Sequence, residues 1–232
     1  MSAKSVNQAS RTFAIGDIHG CDTALQTLLN RLDLQSTDRL IFLGDYIDRG
    51  PNSRAVVETL LDLQTRCRVD CLAGNHEWIL MGVATGQFDI ETWKTVGGDT
   101  TLASYGGGIQ NIVLKHGHFF QSLQRWAETQ DFLFVHASYD PLQPMDMQSD
   151  HDLFWKRSDP LTVGPHQSGK TVVCGHTPQV SGEVSDHGHL ILLDTYCFGS
   201  GWLSALDVES MMVYQARNNG QTRRYRLRMP TG

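Results

Sequence analysis

Six times along this chain a short apolar run stops abruptly at a polar residue. Phe13-Ala14-Ile15-Gly16 ends at Asp17, residues 40–44 end at Asp45, and 69–74 end at Asn75. Further on, 132–135 meets His136, 172–175 meets His176, and 190–193 meets Asp194. Runs this short fit buried strands. Between the first three, residues 23–32 carry Leu25, Leu28, Leu29 and Leu32 at helical spacing, and 55–63 carry Val56, Leu60, Leu61 and Leu63. Strand, helix, strand, helix, strand predicts parallel neighbours with right-handed crossovers, hence an α/β fold. The polar residues then lie beyond strand carboxyl ends, where open α/β sheets bind ligands.

The remainder is less regular. Short helices are expected at 77–84, 100–105 and 118–128, and surface loops at 140–153 and 159–170, where Pro, Asp and Gln accumulate. From Ser200 strands and turns take over: 202–208, 211–216 and 223–227, with Asn218-Asn219-Gly220 turning between the last two. This antiparallel section is expected to close a second sheet. No composition break marks a linker, so a single domain over 11–229 is expected after a flexible 1–10 segment.

Composition narrows the class of function. With 40% hydrophobic and 19% charged residues the chain fills a core and leaves little case for disorder. A net charge of −6 argues against sequence-independent nucleic-acid binding. It leaves room for a phosphate-bearing substrate, because bound divalent metals reverse the local sign. Five cysteines, Cys21, Cys67, Cys71, Cys174 and Cys197, point to a reducing compartment, with Cys67 and Cys71 read as strand residues. The polar start and the lack of a long apolar stretch make a cytoplasmic location, away from membrane, the expectation.

Three clusters carry chemistry. In Gly16-Asp17-Ile18-His19-Gly20, Asp17 taken alone is equally a helix cap. In Gly44-Asp45-Tyr46-Ile47-Asp48-Arg49-Gly50, carboxylates suit hard divalent metals and Arg49 suits a phosphate, although an Asp48–Arg49 surface pair is the plainer alternative. In Gly74-Asn75-His76-Glu77, Asn75 offers a neutral oxygen ligand. His76 is the candidate acid for a leaving group, because imidazole titrates near neutrality. The remaining histidines, and Trp78, Trp93, Trp126 and Trp202, read as structural. Trp155 is expected to pack beneath Arg157.

Together the clusters resemble the signature motifs of the phosphoprotein phosphatase family of metallophosphoesterases. Their order matches, with 28 residues from Asp17 to Asp45 and 30 from Asp45 to Asn75. Val135-His136-Ala137-Ser138, Gly175-His176-Thr177-Pro178 and Trp155-Lys156-Arg157 extend the likeness, which covers about residues 11–215 and is similar to the bacterial and phage branch. Ser138 and Tyr196 depart from the usual pattern, and Tyr196 either narrows the pocket or fills the sheet edge.

The resemblance implies a two-sheet β sandwich flanked by helices and two divalent metals, manganese foremost, with iron or zinc as alternatives. Asp17, His19 and Asp45 would hold one metal, with Asp45 bridging to a second site completed by Asn75, His136 and His176. Such a pair, about 3.5 to 4 Å apart, activates water for direct in-line attack on phosphorus. Arg49 and Arg157 would clamp the phosphoryl oxygens, His76 would protonate the departing oxygen, and Asp48 would orient His76. The favoured activity is a phosphomonoesterase acting on phosphoserine or phosphothreonine in proteins, or on a small phosphoester. A symmetrical dinucleoside tetraphosphate hydrolase is the alternative, and a non-catalytic phosphate-binding module is the alternative of another class. Oligomeric state is left open.

Overall fold

The computed structural model describes residues 10–227. The expected 1–10 segment and the end of the expected 11–229 domain therefore lie largely outside the described residues. The amino-terminal half alternates as expected: β1 (Thr12–Ile15), α1 (Asp22–Leu32), β2 (Arg39–Phe42), α2 (Ser53–Gln64), β3 (Arg68–Cys71) and α3 (Asn75–Ala84). Next come α4 (Ile90–Trp93), a π-turn over Lys94–Gly98, α5 (Asp99–Ser104) and α6 (Ile109–Gln121). The second half holds β4 (Trp126–Glu128), β5 (Phe132–Val135), α7 (Asp150–Phe154), β6 (Thr171–Cys174), β7 (Ser185–Asp186), β8 (Leu190–Leu192), β9 (Leu203–Asp207), β10 (Met212–Ala216) and β11 (Thr222–Arg226).

Two mixed sheets result. The first runs β11-β10-β9-β1-β2-β3 and the second β4-β5-β6-β8-β7. β1, β2 and β3 are parallel, as are β5, β6 and β8. Between the sheets, Ala14, Ile41 and Leu206 from one pack with Phe134, Val173 and Ile191 from the other. On the outer face of the first sheet, Leu25 and Leu28 of α1 and Val56 and Leu60 of α2 cover Phe13, Ile15, Leu40 and Phe42. This is the helix-flanked two-sheet architecture the resemblance implied.

Three expectations fail for physical reasons. The helix expected at 118–128 ends at Gln121, because its buried stripe is Ile112, His116, Phe119 and Phe120 and begins at Ile109. Trp126–Glu128 instead pairs antiparallel with β5. The carboxyl-terminal hairpin joins the first sheet through β9 against β1, where the sequence suggested closure of a second sheet. The 140–153 loop yields a 3-10 turn at Met145–Met147 and then α7, which Ser149 caps by accepting the Asp152 N–H.

The smaller structural assignments divide. Trp93 and Trp202 are buried, but Trp78 is 39% exposed and lies against Phe154. Cys71 ends β3, while Cys67 sits in the turn before it; all five cysteines are free. No helix among the described residues is long and apolar enough to cross a membrane.

Candidate metal centre

All six polar residues flagged by the sequence lie just beyond strand carboxyl ends of the two sheets. Asp45 stands at their meeting point. Its carboxylate is 3.4 Å from His19 Nε2, 3.6 Å from His136 Nε2 and 4.0 Å from His76 Nε2. Two triads share it: His19, Asp45 and His76, and Asp45, His136 and His176, each with candidate ligand atoms within 4.8 Å of one another. Asn75 Oδ1 joins the second, 3.0 Å from His136 Nε2 and 3.1 Å from His176 Nδ1. Asp17 stands outside both triads, with both carboxylate oxygens accepting the His176 backbone N–H at 3.1–3.2 Å.

The imidazoles are aimed by the backbone. His19 Nδ1 donates to the Ile47 carbonyl and His136 Nδ1 to the Leu43 carbonyl, both at 2.9 Å, which leaves each Nε2 lone pair facing the centre. His176 uses Nε2 on the Trp155 carbonyl at 3.1 Å and so presents Nδ1. Burial pushes His19 down to about 3 and His176 down to about 4, so these rings are neutral and able to ligate.

Carboxylates crowd the same space. Burial, then Asp194 and Asp45, push Asp17 well above the usual carboxylate range, and burial lifts Asp194 to about 6. Asp45 is also buried, but the surrounding histidines outweigh that and hold it low. Three buried acids share this space with Arg49 and His76 as the nearby cationic groups, and divalent cations would offset the remaining negative charge. The donor set of imidazole, carboxylate and amide oxygen therefore fits a pair of divalent metals.

A tightly wound loop sets these positions. Asp45, Asp48 and Arg49 all have positive φ, at 53°, 70° and 68°. The Glu77 carboxylate holds the loop, accepting N–H bonds from Asp45 (2.9 Å), Tyr46 (2.8 Å) and Gly74 (2.9 Å). Gly74 is required for space: a Cβ there would collide with the Asp45 carboxylate.

The expected acid–carboxylate pair is present. His76 Nδ1 lies 2.7 Å from Asp48 Oδ2, which also accepts the Trp93 indole N–H at 2.8 Å, while Asp48 Oδ1 accepts the Thr101 hydroxyl at 2.6 Å. Burial lowers the proton affinity of His76, but Asp45 and Asp48 outweigh it and the net direction is up. The Asp48–Arg49 surface pair does not form. Asp48 is buried, and the Arg49 guanidinium stacks 4.4 Å from the Phe198 ring centre and donates to His19 Nε2 at 3.0 Å.

Arg157 is exposed, near enough to His176 to lower its proton affinity. Trp155 does not stack beneath it among the described residues; its ring lines a groove with Phe88 instead. Tyr196 packs edge-on against Phe198, which in turn meets His19, so it borders the Arg49 side of the centre. Sequence reasoning marked Asp194 as a strand-end residue and quoted Glu77 in the third cluster but gave neither a role in the site, and it missed Phe198, Trp93 and Thr101 there.

The fold and the two candidate ligand clusters sharing Asp45 are those expected of a metallophosphoesterase. Residues 10–207 match the model of the calcineurin-like phosphoesterases, and the chain belongs to that family. Curated relatives include the symmetrical bis(5'-nucleosyl)-tetraphosphatases of Janthinobacterium sp. (40% identical over 32% of this chain and 27% of theirs) and Legionella pneumophila strain Lens (34% over 56% and 45%). The matched stretches thus span about a quarter to a half of those relatives' length. Among solved structures, a cold-active protein-tyrosine phosphatase from a psychrophilic Shewanella superposes with a TM-score of 0.66 at 18% identity, over 94% of this chain and 80% of that one. A candidate diadenosine tetraphosphatase gives 0.64 at 21% identity over 94% of both chains. These two likenesses show the fold.

Proposed function

We propose that this chain hydrolyses a small nucleotide phosphoanhydride, a dinucleoside tetraphosphate, with two divalent metals held at the centre described above. The observation that carries the chemistry is Asp45 shared between two ligand triads. The nucleotide class is supported by the curated relatives reported above, which are named symmetrical bis(5'-nucleosyl)-tetraphosphatases, and it displaces the phosphoprotein substrate that the sequence alone favoured. The same support weighs against a nucleic-acid substrate and against a non-catalytic phosphate-binding module.

In this reading Asp17, His19 and Asp45 hold one metal and Asp45, Asn75, His136 and His176 the other. Manganese is first choice, with iron or zinc as alternatives. When bound, the metals supply Lewis acidity and a nucleophile at neutral pH. Arg49, fixed by Phe198, and Arg157, free at the surface, bind the phosphoryl oxygens and offset their charge. His76 donates Nδ1–H to Asp48 and, in the protonated form that Asp45 and Asp48 favour, carries a second proton at Nε2 that it delivers to the departing oxygen. A cytoplasmic location accords with a nucleotide substrate.

The test compares kcat/KM of manganese-loaded protein on diadenosine tetraphosphate and on a phosphoserine peptide under identical conditions. Preference for the dinucleotide with two molecules of ADP released is expected. Preference for the peptide with orthophosphate released would reinstate the protein phosphatase reading, and turnover of neither by metal-loaded protein would refute both.

A further inference from the structure

Beside the metal centre, α3, α4 and the end of α7 enclose a groove of about 370 Å³, within the size range of small-molecule sites. Its walls are Phe88, Val96 and Trp155, each between 37% and 42% exposed, and fully buried Trp93 also lines it. We propose that this groove receives the base of the nucleotide whose phosphates lie on the metals. The assignment rests on the nucleotide substrate proposed above.

Two tryptophans link the wall of the groove to the centre through hydrogen bonds. Trp93 lines the groove and donates its indole N–H to Asp48 Oδ2, the oxygen that also holds His76. Trp155 lines it and offers its carbonyl to His176 Nε2. The wall of the groove is thus one residue from the candidate proton donor and in direct contact with a candidate metal ligand.

The chemistry of the walls selects the occupant. Among the described residues Asp89 is the sole charged side chain lining the groove, so the groove repels a phosphate and accepts a neutral group. Exposed aromatic rings take a planar π-face, and stacking of this kind tolerates any base. Gln87 and Asp89 provide an amide and a carboxylate suited to a base edge and its exocyclic amine. Phe88 is set in advance: the Gly82 carbonyl accepts both the Gln87 and Phe88 N–H, at 2.7 and 3.1 Å, and a Cβ at Gly82 would occupy the space of the Phe88 ring. Little ordering is left to do on binding.

The experiment compares AMP with ribose 5-phosphate, which carries the same phosphate without a base. Inhibition constants against p-nitrophenyl phosphate hydrolysis are measured for wild type, Phe88→Ala and Val96→Glu. Quenching of tryptophan fluorescence by the same two compounds, with Trp155→Phe as control, gives a readout independent of turnover. About tenfold tighter binding of AMP is expected in wild type, falling toward parity in both groove variants while ribose 5-phosphate is unchanged. Equal binding of the two compounds by wild type, or an AMP preference indifferent to Phe88 and Val96, would overturn the proposal. An effect of Phe88→Ala confined to apolar phosphopeptides would overturn it in favour of a peptide groove. If the AMP preference depends on Phe88 but diadenosine tetraphosphate is not cleaved, the substrate reading fails and the groove stands. If diadenosine tetraphosphate is cleaved equally well with and without Phe88, the substrate reading stands and the groove assignment fails.

Discussion

Replacing Asp48 by Asn separates proton delivery from metal binding. The oxygens of Asp48 face His76 Nδ1, the Trp93 indole and the Thr101 hydroxyl, none of them on a residue proposed to hold metal. An Asn with its oxygen toward His76 and Trp93 keeps both bonds and turns its amide to Thr101, whose hydroxyl also accepts. The shape survives and the negative charge is lost. A hydrogen bond to a charged partner is worth about 1.5–3 kcal/mol against about 1 for a neutral one, so His76 loses on the order of 1–2 kcal/mol of support for its protonated form. If the transition state uses that proton fully, turnover falls about 5- to 30-fold. The loss depends on the leaving group: an alkyl phosphate needs the proton, whereas p-nitrophenolate departs largely unaided. Steady-state kinetics on both substrates, with metal content by atomic emission, is the assay. Equal losses on the two substrates, or loss of both metals, would refute the positioning role.

Three other perturbations have defined outcomes. Glu77→Gln sets an amide against two of the buried N–H groups that Glu77 now accepts, at a cost of about 2–6 kcal/mol in denaturant-induced unfolding; a loss below about 1 would show that the loop does not depend on this residue. Burial raises Asp38, but its bonds from Arg11 and the Gln35 N–H outweigh this and hold it below the usual range. A depressed carboxyl stabilises above its unfolded value, near 3.9, and that stability is lost as pH falls through the folded value. Asp38→Asn should therefore cost about 1–2 kcal/mol at pH 7 and progressively less below about pH 4. A pH-independent difference would assign the effect to shape alone. Phe198→Ala removes the stack under Arg49, worth about 0.5–1 kcal/mol, and should raise KM for a phosphomonoester two- to fivefold with metal content intact. An unchanged KM would mean that Arg49 needs no such support.

The fold and the gathering of the candidate ligand residues were legible because each depends on a local pattern. Six apolar runs ending in Asp, Asn or His mark parallel strands and the residues just past them, and a strand end is a fixed place in an α/β sheet. What stayed hidden depends on pairing between distant segments. Trp126–Glu128 is too short to show alternation and becomes a strand only by pairing with Phe132–Val135. The hairpin at the carboxyl end carries no mark of which sheet it joins, since that is decided by β9 meeting β1. Phe198 and Trp93 look like any core aromatic in sequence, and only the folded chain puts one under Arg49 and the other on Asp48.

The same distinction explains why the centre is rigid. His19, Asp45, Asp48, Arg49, His176 and Tyr196 all have positive φ, a conformation costing of order 1–3 kcal/mol for a residue other than glycine, somewhat less for Asp and His. Local bonds meet part of that cost at Tyr196 and Asp48. The assembled sheets add further bonds: Ile18 and His19 N–H to the Asp45 carbonyl, the Glu77 carboxylate accepting from the loop after β2, and the His176 N–H to Asp17. His19, Asp45 and His176 are thus held by neighbours from other strand ends, whereas Asp48 is held by Ser53 and Thr101, Arg49 by the Gly97 carbonyl and Tyr196 by Asp194 of its own strand end. A centre built this way cannot loosen at one loop alone, because the bonds that fix one ligand pass through the loop carrying the next.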